Sequence, residues 1–450
     1  MLDTRLILSL LGMLPIGIVC LTVSCFSRAE AIPLIRDTEI ETTIRIYAEA
    51  FLSAAGIADN AFEAKIVKDS ALNAFVARGQ KIFLTTGLLK RSKNAEEVLG
   101  VIAHEIGHIA GGHLTRLHSA LRKAGKTAII TQILGLTLGA ASQNPAVGVA
   151  IASGGQHVAK RSFLKFSRGQ EQSADQAAAN YLDKVGISGK GLLEFLRVLS
   201  LQEFLLTSNQ DPYVRTHPLT RNRINFMENH VKNSPVTQNK LPPIFVSRHL
   251  RMVAKLDAFI DPPKNTLRKY KKNDGSVPAR YARTIALYRK GNLSEALSDI
   301  ELLISDFPRD PYFIELKAKM LFENGRLPDA MKTYQRAVVL LPDAPLIRTN
   351  LAHVILEMNR AELNDVALKH VESALRSDRF MPKAWYLAGT VYGRKKQFGR
   401  SAWALAEYNI LINRKRLART HAMRALKLLK AGSPAWLRAT DIKNEIDLTK

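Results

Sequence analysis

The spacing that most constrains this chain is 34. Gly291 and Gly325, Leu293 and Leu327, Ala296 and Ala330, and Pro308 and Pro342 recur at that separation. The second half is therefore one unit used repeatedly. A 34-residue unit holds two short helices and their turns; neither helix can bury its apolar face alone, so successive units stack into a curved α-solenoid. Two units are clear. A third, about 345–381, is longer by three residues, and a fourth, about 382–415, keeps the helix-pair pattern around Trp385, Tyr392, Phe398 and Ala402. The solenoid is expected over 277–440, with a concave face suited to peptide or a partner protein.

At 450 residues the chain has room for two or three packed domains. Pro242-Pro243 and Pro262-Pro263 frame a connecting region, expected over 241–276, whose helix at about 247–260 fits either side. Residues 32–240 then form a domain of their own.

That first domain contains VIAHEIGHIAGG at Val101–Gly112, an apolar helical run interrupted by two histidines and a glutamate. Four residues apart, His104 and His108 share one helix face and can grip one ion, while Glu105 sits beside it. H-E-x-x-H is the helix of zinc peptidases, in which two neutral imidazoles hold the metal and the glutamate takes a proton from the attacking water. Asn94, with Glu97 three residues on, supplies the helix start. The alternative, two core histidines bonded to carbonyls, leaves a buried carboxylate unpaired, which costs several kcal/mol. Downstream, FSRGQEQSADQAAANYL places Glu171 and Asp175 on one helix face. They read either as a metal ligand with a carboxylate that orients a ligand histidine, or as an ordinary solvated face.

HEIGH followed by E-x-x-A-D resembles the M48 family of zinc metallopeptidases, and three more stretches agree: NAFVARGQKIFLTTGLL (Asn73–Leu89), THPLTRNRI (Thr216–Ile224) and IPLIRDTEIE, the last similar to the family's bacterial periplasmic branch. The resemblance covers roughly residues 32–230, and the 34-residue units resemble tetratricopeptide repeats. It implies a mainly α chain: a zincin-like α+β metallopeptidase domain with a small β-sheet, then an α-solenoid of tetratricopeptide repeats. It also implies one zinc ion per subunit, bound by His104, His108 and Glu171. Glu105 would be the general base and Asp175 an orienting group. His217 and Arg223 would lie near the site, with His217 either covering the zinc in a latent enzyme or donating to the developing oxyanion. The strand at Lys81–Thr85 would be an edge strand that binds extended peptide. Gln172-Ser173 departs from the family, where a second acid often stands.

The opening, with Arg5, an uncharged run from Leu6 to Phe26 and Ala29-Glu30-Ala31, predicts a signal peptide over 1–31, or an uncleaved anchor. Both cysteines, Cys20 and Cys25, fall inside it, so zinc would be held by histidine and carboxylate alone. The charge is uneven: residues 1–244 carry 27 basic and 19 acidic side chains, residues 245–450 carry 38 and 21. In an exported protein this surplus fits a generally solvated surface first, then anionic membrane surface or acidic partners, ahead of nucleic acid. The uncharged tract at 128–159 is broken by SQNP at Ser142–Pro145 into arms too short to span a bilayer, and is expected to be an apolar lid with possible membrane contact.

The resemblance to the periplasmic branch implies a periplasmic endopeptidase for misfolded or stalled outer-membrane proteins, with repeats that recruit clients or assembly machinery and a chaperone role beside proteolysis. Two other readings exist: a chaperone or scaffold with a latent peptidase fold, and a membrane-embedded prenyl-protein protease, which would need several spans.

Overall fold

Asp37 starts the first long helix, α1 (Thr38–Ala55), by accepting the Ile40 N–H at 3.0 Å, and Gly56, in the left-handed region at φ 68°, ends it. The computed structural model describes residues 33–58, 62–77, 80–116, 119, 167–201, 213 and 217–448. The leader and lid expected from sequence lie outside them. Among the described residues, no helix is long and apolar enough to cross a membrane.

Four short strands form one sheet: β1 (Leu34–Ile35), β2 (Glu63–Val67), β3 (Ala74–Ala77) and β4 (Lys81–Thr85). Their order is β1-β2-β4-β3, with β2 and β4 parallel and the other pairs antiparallel. This corrects the expectation that Lys81–Thr85 is an edge. Strand β4 runs between β2 and β3, so both of its sides are engaged in ladders. The edge strands are β1 and β3, and β3 packs against the metal-motif helix. Alternation along β4 buries Ile82 and Leu84, a pattern that an inner strand with one polar face shares with an edge strand.

Helix α2 (Thr86–Arg91) follows directly, and Asn94 then caps α3 (Ala95–Ala110): its Oδ1 accepts the Glu97 N–H at 2.9 Å while Glu97 accepts the Lys93 N–H at 3.0 Å. The first bond is the cap expected from the sequence; the return bond goes to Lys93, one residue before the cap, rather than to Asn94 itself. Two glycines let neighbours close on α3. A Cβ at Gly100 would stand 2.7 Å from Leu192 Cβ on α5 (Lys190–Ser200), and one at Gly107 would stand 2.9 Å from the Ala174 carbonyl oxygen on α4 (residues 167–184). Helices α6 (Arg221–Asn233) and α7 (Pro243–Ile260) complete this part.

The proline-framed helix α7 serves two cores. Met252 and Leu256 are buried with the sheet, α1 and α3, whereas Ala254 and Ala258 are buried with the repeats. Paired charges cross the same junction. Arg251 reaches Glu39 and Asp310, each at 2.6 Å, Lys255 reaches Asp37 at 2.8 Å, and Arg36 reaches Asp378 at 2.9 Å.

Beyond it the expected solenoid is present as five helix pairs: 277–306, 311–340, 345–377, 382–411 and 415–448. The three extra residues of the third unit form a short 3-10 turn, Ala361–Leu363. Within the first four pairs the turn between helices takes one left-handed residue, at Gly291, Gly325, Asn359 and Lys396.

Candidate metal centre

Three elements deliver the seven residues singled out in the sequence to one buried cluster. Helix α3 carries His104, Glu105 and His108; α4 carries Glu171 and Asp175; and α6 with the residues leading into it carries Arg223 and His217. Because Gly107 has no side chain, the α4 backbone lies close enough for both carboxylates to reach the histidine face of α3.

One atom each from His104, His108, Glu171 and His217 lies within 4.8 Å of all the others. His104 Nε2 is 3.0 Å from His108 Nε2 and 3.3 Å from Glu171 Oε2; His108 Nε2 is 3.4 Å from Glu171 Oε1; and His217 Nδ1 is 3.2 Å from Glu171 Oε2. On the opposite side of its ring, His104 Nδ1 faces Asp175 Oδ1 at 2.9 Å. Arg223 holds Asp175 with two bonds, Nε to Oδ2 at 2.6 Å and Nη2 to Oδ1 at 2.9 Å, and its Nη1 lies 3.0 Å from Glu171 Oε2. Asp175 is thus fixed from behind while it faces the imidazole, and the guanidinium suits that planar, bidentate task.

The charge balance of the cluster fits a dication. Glu105, Glu171 and Asp175 are all nearly inaccessible to solvent and are opposed by one buried guanidinium, Arg223. With neutral imidazoles two negative charges remain, the complement of one divalent ion. Burial disfavours the charged form of His104, but Asp175 and Glu171 outweigh burial and raise its pKa to about 9. Burial pushes the Glu171 and Asp175 carboxyls up, yet His217, His104 and Arg223 hold Glu171 well below the ordinary range, and Arg223 and His104 hold Asp175 below it. Glu105 differs. Neither of its oxygens has a hydrogen-bond partner among the described residues, its closest ionisable contact is His217 Nε2 at 3.5 Å, and burial raises its pKa. A carboxylate held free of strong partners and inclined to take a proton is suited to act as a base.

Two residues escaped the sequence reading. His113, buried one turn past α3, places Nδ1 2.9 Å from His108 Nδ1, so it can fix the His108 ring as Asp175 fixes that of His104. Its signal was the third histidine of HEIGHIAGGH, five residues beyond His108. Tyr213 stacks on the His217 ring with centroids 4.3 Å apart, and its carbonyl accepts the His217 N–H at 2.8 Å. An aromatic residue four positions before a histidine is too common to carry a signal.

Comparison with known proteins agrees with this geometry. Residues 35–231 match the model for peptidase family M48, and residues 281–345 match that for a tetratricopeptide repeat. The beta-barrel assembly-enhancing protease of Yersinia pestis is 25% identical over 343 residues, 73% of this chain and 68% of that protein. The protein of the same name from Escherichia coli (strain K12) is 22% identical over 336 residues, 72% and 66% of the two chains. A putative beta-barrel assembly-enhancing protease of Vibrio cholerae is 25% identical over 218 residues, 48% and 43%. The matches span about two thirds of the length of the first two relatives.

Proposed function

We propose that this chain, which belongs to peptidase family M48 and carries tetratricopeptide repeats, is a zinc-dependent endopeptidase whose clients are outer-membrane β-barrel proteins in assembly or quality control. The observation that carries the chemistry is the convergence of four candidate ligand atoms within 4.8 Å beside a buried carboxylate that has no hydrogen-bond partner among the described residues. Zinc bound there by His104, His108 and Glu171 would polarise a peptide carbonyl and acidify water. Glu105 takes the proton of the attacking water and passes it to the departing amine. Asp175, held by Arg223, and His113 keep the two ligand imidazoles in their ring orientations.

His217 reaches into the same cluster as the ligands, on a segment stiffened by Pro218. This supports the latent reading over the oxyanion reading: with His217 as a fourth donor the ligand set zinc prefers would be complete, and the segment bearing His217 would have to move before a substrate carbonyl could enter. Extended substrate pairs with the outer side of β3, which has no strand partner there among the described residues and packs on α3.

The same proposal divides the chain into a leader at 1–31, a peptidase domain at 32–240, a connection at 241–276 and repeats at 277–440, and it places the protein in the periplasm. Assignment to the outer-membrane pathway rests on the named relatives and not on the site. The repeats recruit clients or assembly partners, with chaperone activity and peripheral membrane contact as further roles. Casein cleavage with and without a chelator, together with zinc stoichiometry of the purified protein, tests the enzymatic part. Chelator-sensitive cleavage at one zinc per chain is expected; binding of unfolded clients without cleavage in any metal state would favour the chaperone or scaffold.

A further inference from the structure

The fifth helix pair, 415–448, separates its charges. Between Glu407 and Asp441 the sequence has eight Arg and Lys residues and no Asp or Glu. Two of the eight serve the fold: Arg438 holds Glu407 at 2.8 Å and Arg419 holds Asp447 at 2.7 Å. Asp447 is also held by Lys443, and the other acids of the pair, Asp441 and Glu445, stand on the second helix, where they act on Arg438. The first helix, Lys415–Leu428, turns only alanine inward: Ala418, Ala422 and Ala425 are buried with Ala439, Ile442 and Ile446. At about 3.6 residues per turn the opposite side presents Arg416, Leu417, Thr420, Arg424, Lys427 and Leu428, all exposed. Leu417 is 42% and Leu428 53% exposed. Arg416, Arg424 and Lys427 make no ion pair among the described residues. Burial, and then the Arg424 guanidinium, lower the pKa of His421 beside this strip, so its imidazole is neutral at neutral pH.

A helix face kept only for solubility mixes both signs of charge. This one has a single sign and sets two leucines among its cations. The cations are spread along about 18 Å of helix, so they suit a surface of many mobile anions better than one bound phosphate or carboxylate. We propose that the exposed face of Lys415–Leu428 docks on an anionic phospholipid surface, with Arg416, Arg424 and Lys427 at the headgroup phosphates and Leu417 and Leu428 between the headgroups. The helix lies along the bilayer and does not cross it. Because its inner side is committed to the alanine-lined core, only the outer side chains reach the lipid, and attachment is electrostatic and reversible. The inference rests on the reading that the chain makes peripheral membrane contact and adds the surface that makes it and the lipid class it takes.

The test is flotation of the full chain with vesicles of phosphatidylglycerol and phosphatidylcholine in equal parts, against vesicles of phosphatidylcholine alone. The parent should float with the anionic vesicles only, and should be released as salt rises from about 0.05 to about 0.5 M, as screening requires. Replacing Arg416, Arg424 and Lys427 together with Gln should lower the partition coefficient roughly a hundredfold, at about fivefold per cation. A control with the same loss of charge on exposed residues elsewhere, Lys232→Gln, Lys264→Gln and Arg268→Gln, should stay within about threefold of the parent. Leu417→Ser with Leu428→Ser should lower the partition about tenfold at unchanged charge. All these side chains are exposed, and circular dichroism verifies the fold of each variant. Equal loss in the two triple variants, or no loss in either, overturns the assignment of this face and leaves peripheral contact standing; a parent that floats with neither vesicle overturns both. Binding of polyglutamate that depends on Arg416, Arg424 and Lys427, without flotation, would give the face to an acidic polypeptide and overturn the lipid assignment.

Discussion

Asp175 and His113 stand in the same relation to the two histidines of HEIGH, one behind each ring, and only one of them was legible in the sequence. The i, i+4 spacings of His104 with His108 and of Glu171 with Asp175 were readable because a helix converts that spacing into a shared face. His113 was not, because it lies beyond the helix end, where a turn at Gly111-Gly112 redirects the chain and no periodicity applies. Replacing His113 with Ala should lower zinc affinity by roughly 10–100-fold without removing a ligand, and Asp175→Asn should act in the same direction, whereas Glu171→Ala should cost more than either. Competition with a metallochromic chelator ranks the three; Glu171→Ala binding zinc as tightly as the parent would place the third ligand elsewhere. His217→Ala separates two signs. Under the latent arrangement basal cleavage of an unstructured peptide rises, and under the oxyanion arrangement it falls.

Among the elements, the sheet shows where pattern reading fails. Alternation along Lys81–Thr85 identified a strand, yet alternation reports which residues face the core and says nothing of which strands lie alongside; the crossover that places β2 next to β4 is a long-range choice. If substrate pairs with β3, a peptide substrate N-methylated at the residues flanking the scissile bond should be cleaved far more slowly than its parent at equal binding of its side chains, and unchanged turnover would remove strand addition from the account. The repeats were legible as far as glycine marked them. The left-handed turn position is glycine in the first two pairs but Asn359 and Lys396 in the next two, and the fifth pair has an alanine-rich core, so the period fades to the eye while the geometry continues. Lysine in the left-handed region is strained by about 1 kcal/mol, so Lys396→Gly should stabilise the chain by up to about that amount, visible as a higher thermal midpoint.

On the scale of the whole molecule, the peptidase fold and the solenoid are joined through α7 and a set of buried ion pairs rather than by a loose tether. A fragment ending at residue 240 loses Phe245, Met252 and Leu256, each packed with the peptidase core, and is expected not to fold stably; one ending after Ile260 keeps them. Removing Arg251 leaves the buried Glu39 with only Lys255 and the Tyr281 hydroxyl and the half-buried Asp310 with backbone donors alone, so Arg251→Met should destabilise by roughly 1–3 kcal/mol in denaturant unfolding. The same junction predicts one unfolding transition for the chain; two well-separated transitions would show that the halves fold independently. These couplings give the protein its shape, but the claim on which its function depends is that one carboxylate, Glu105, turns a metal cluster into a peptidase. The most direct test compares zinc content and casein cleavage of Glu105→Gln with the parent protein. One zinc per chain in both and a loss of cleavage of about a hundredfold or more is the predicted result. Near-parental cleavage by the zinc-loaded variant would contradict it.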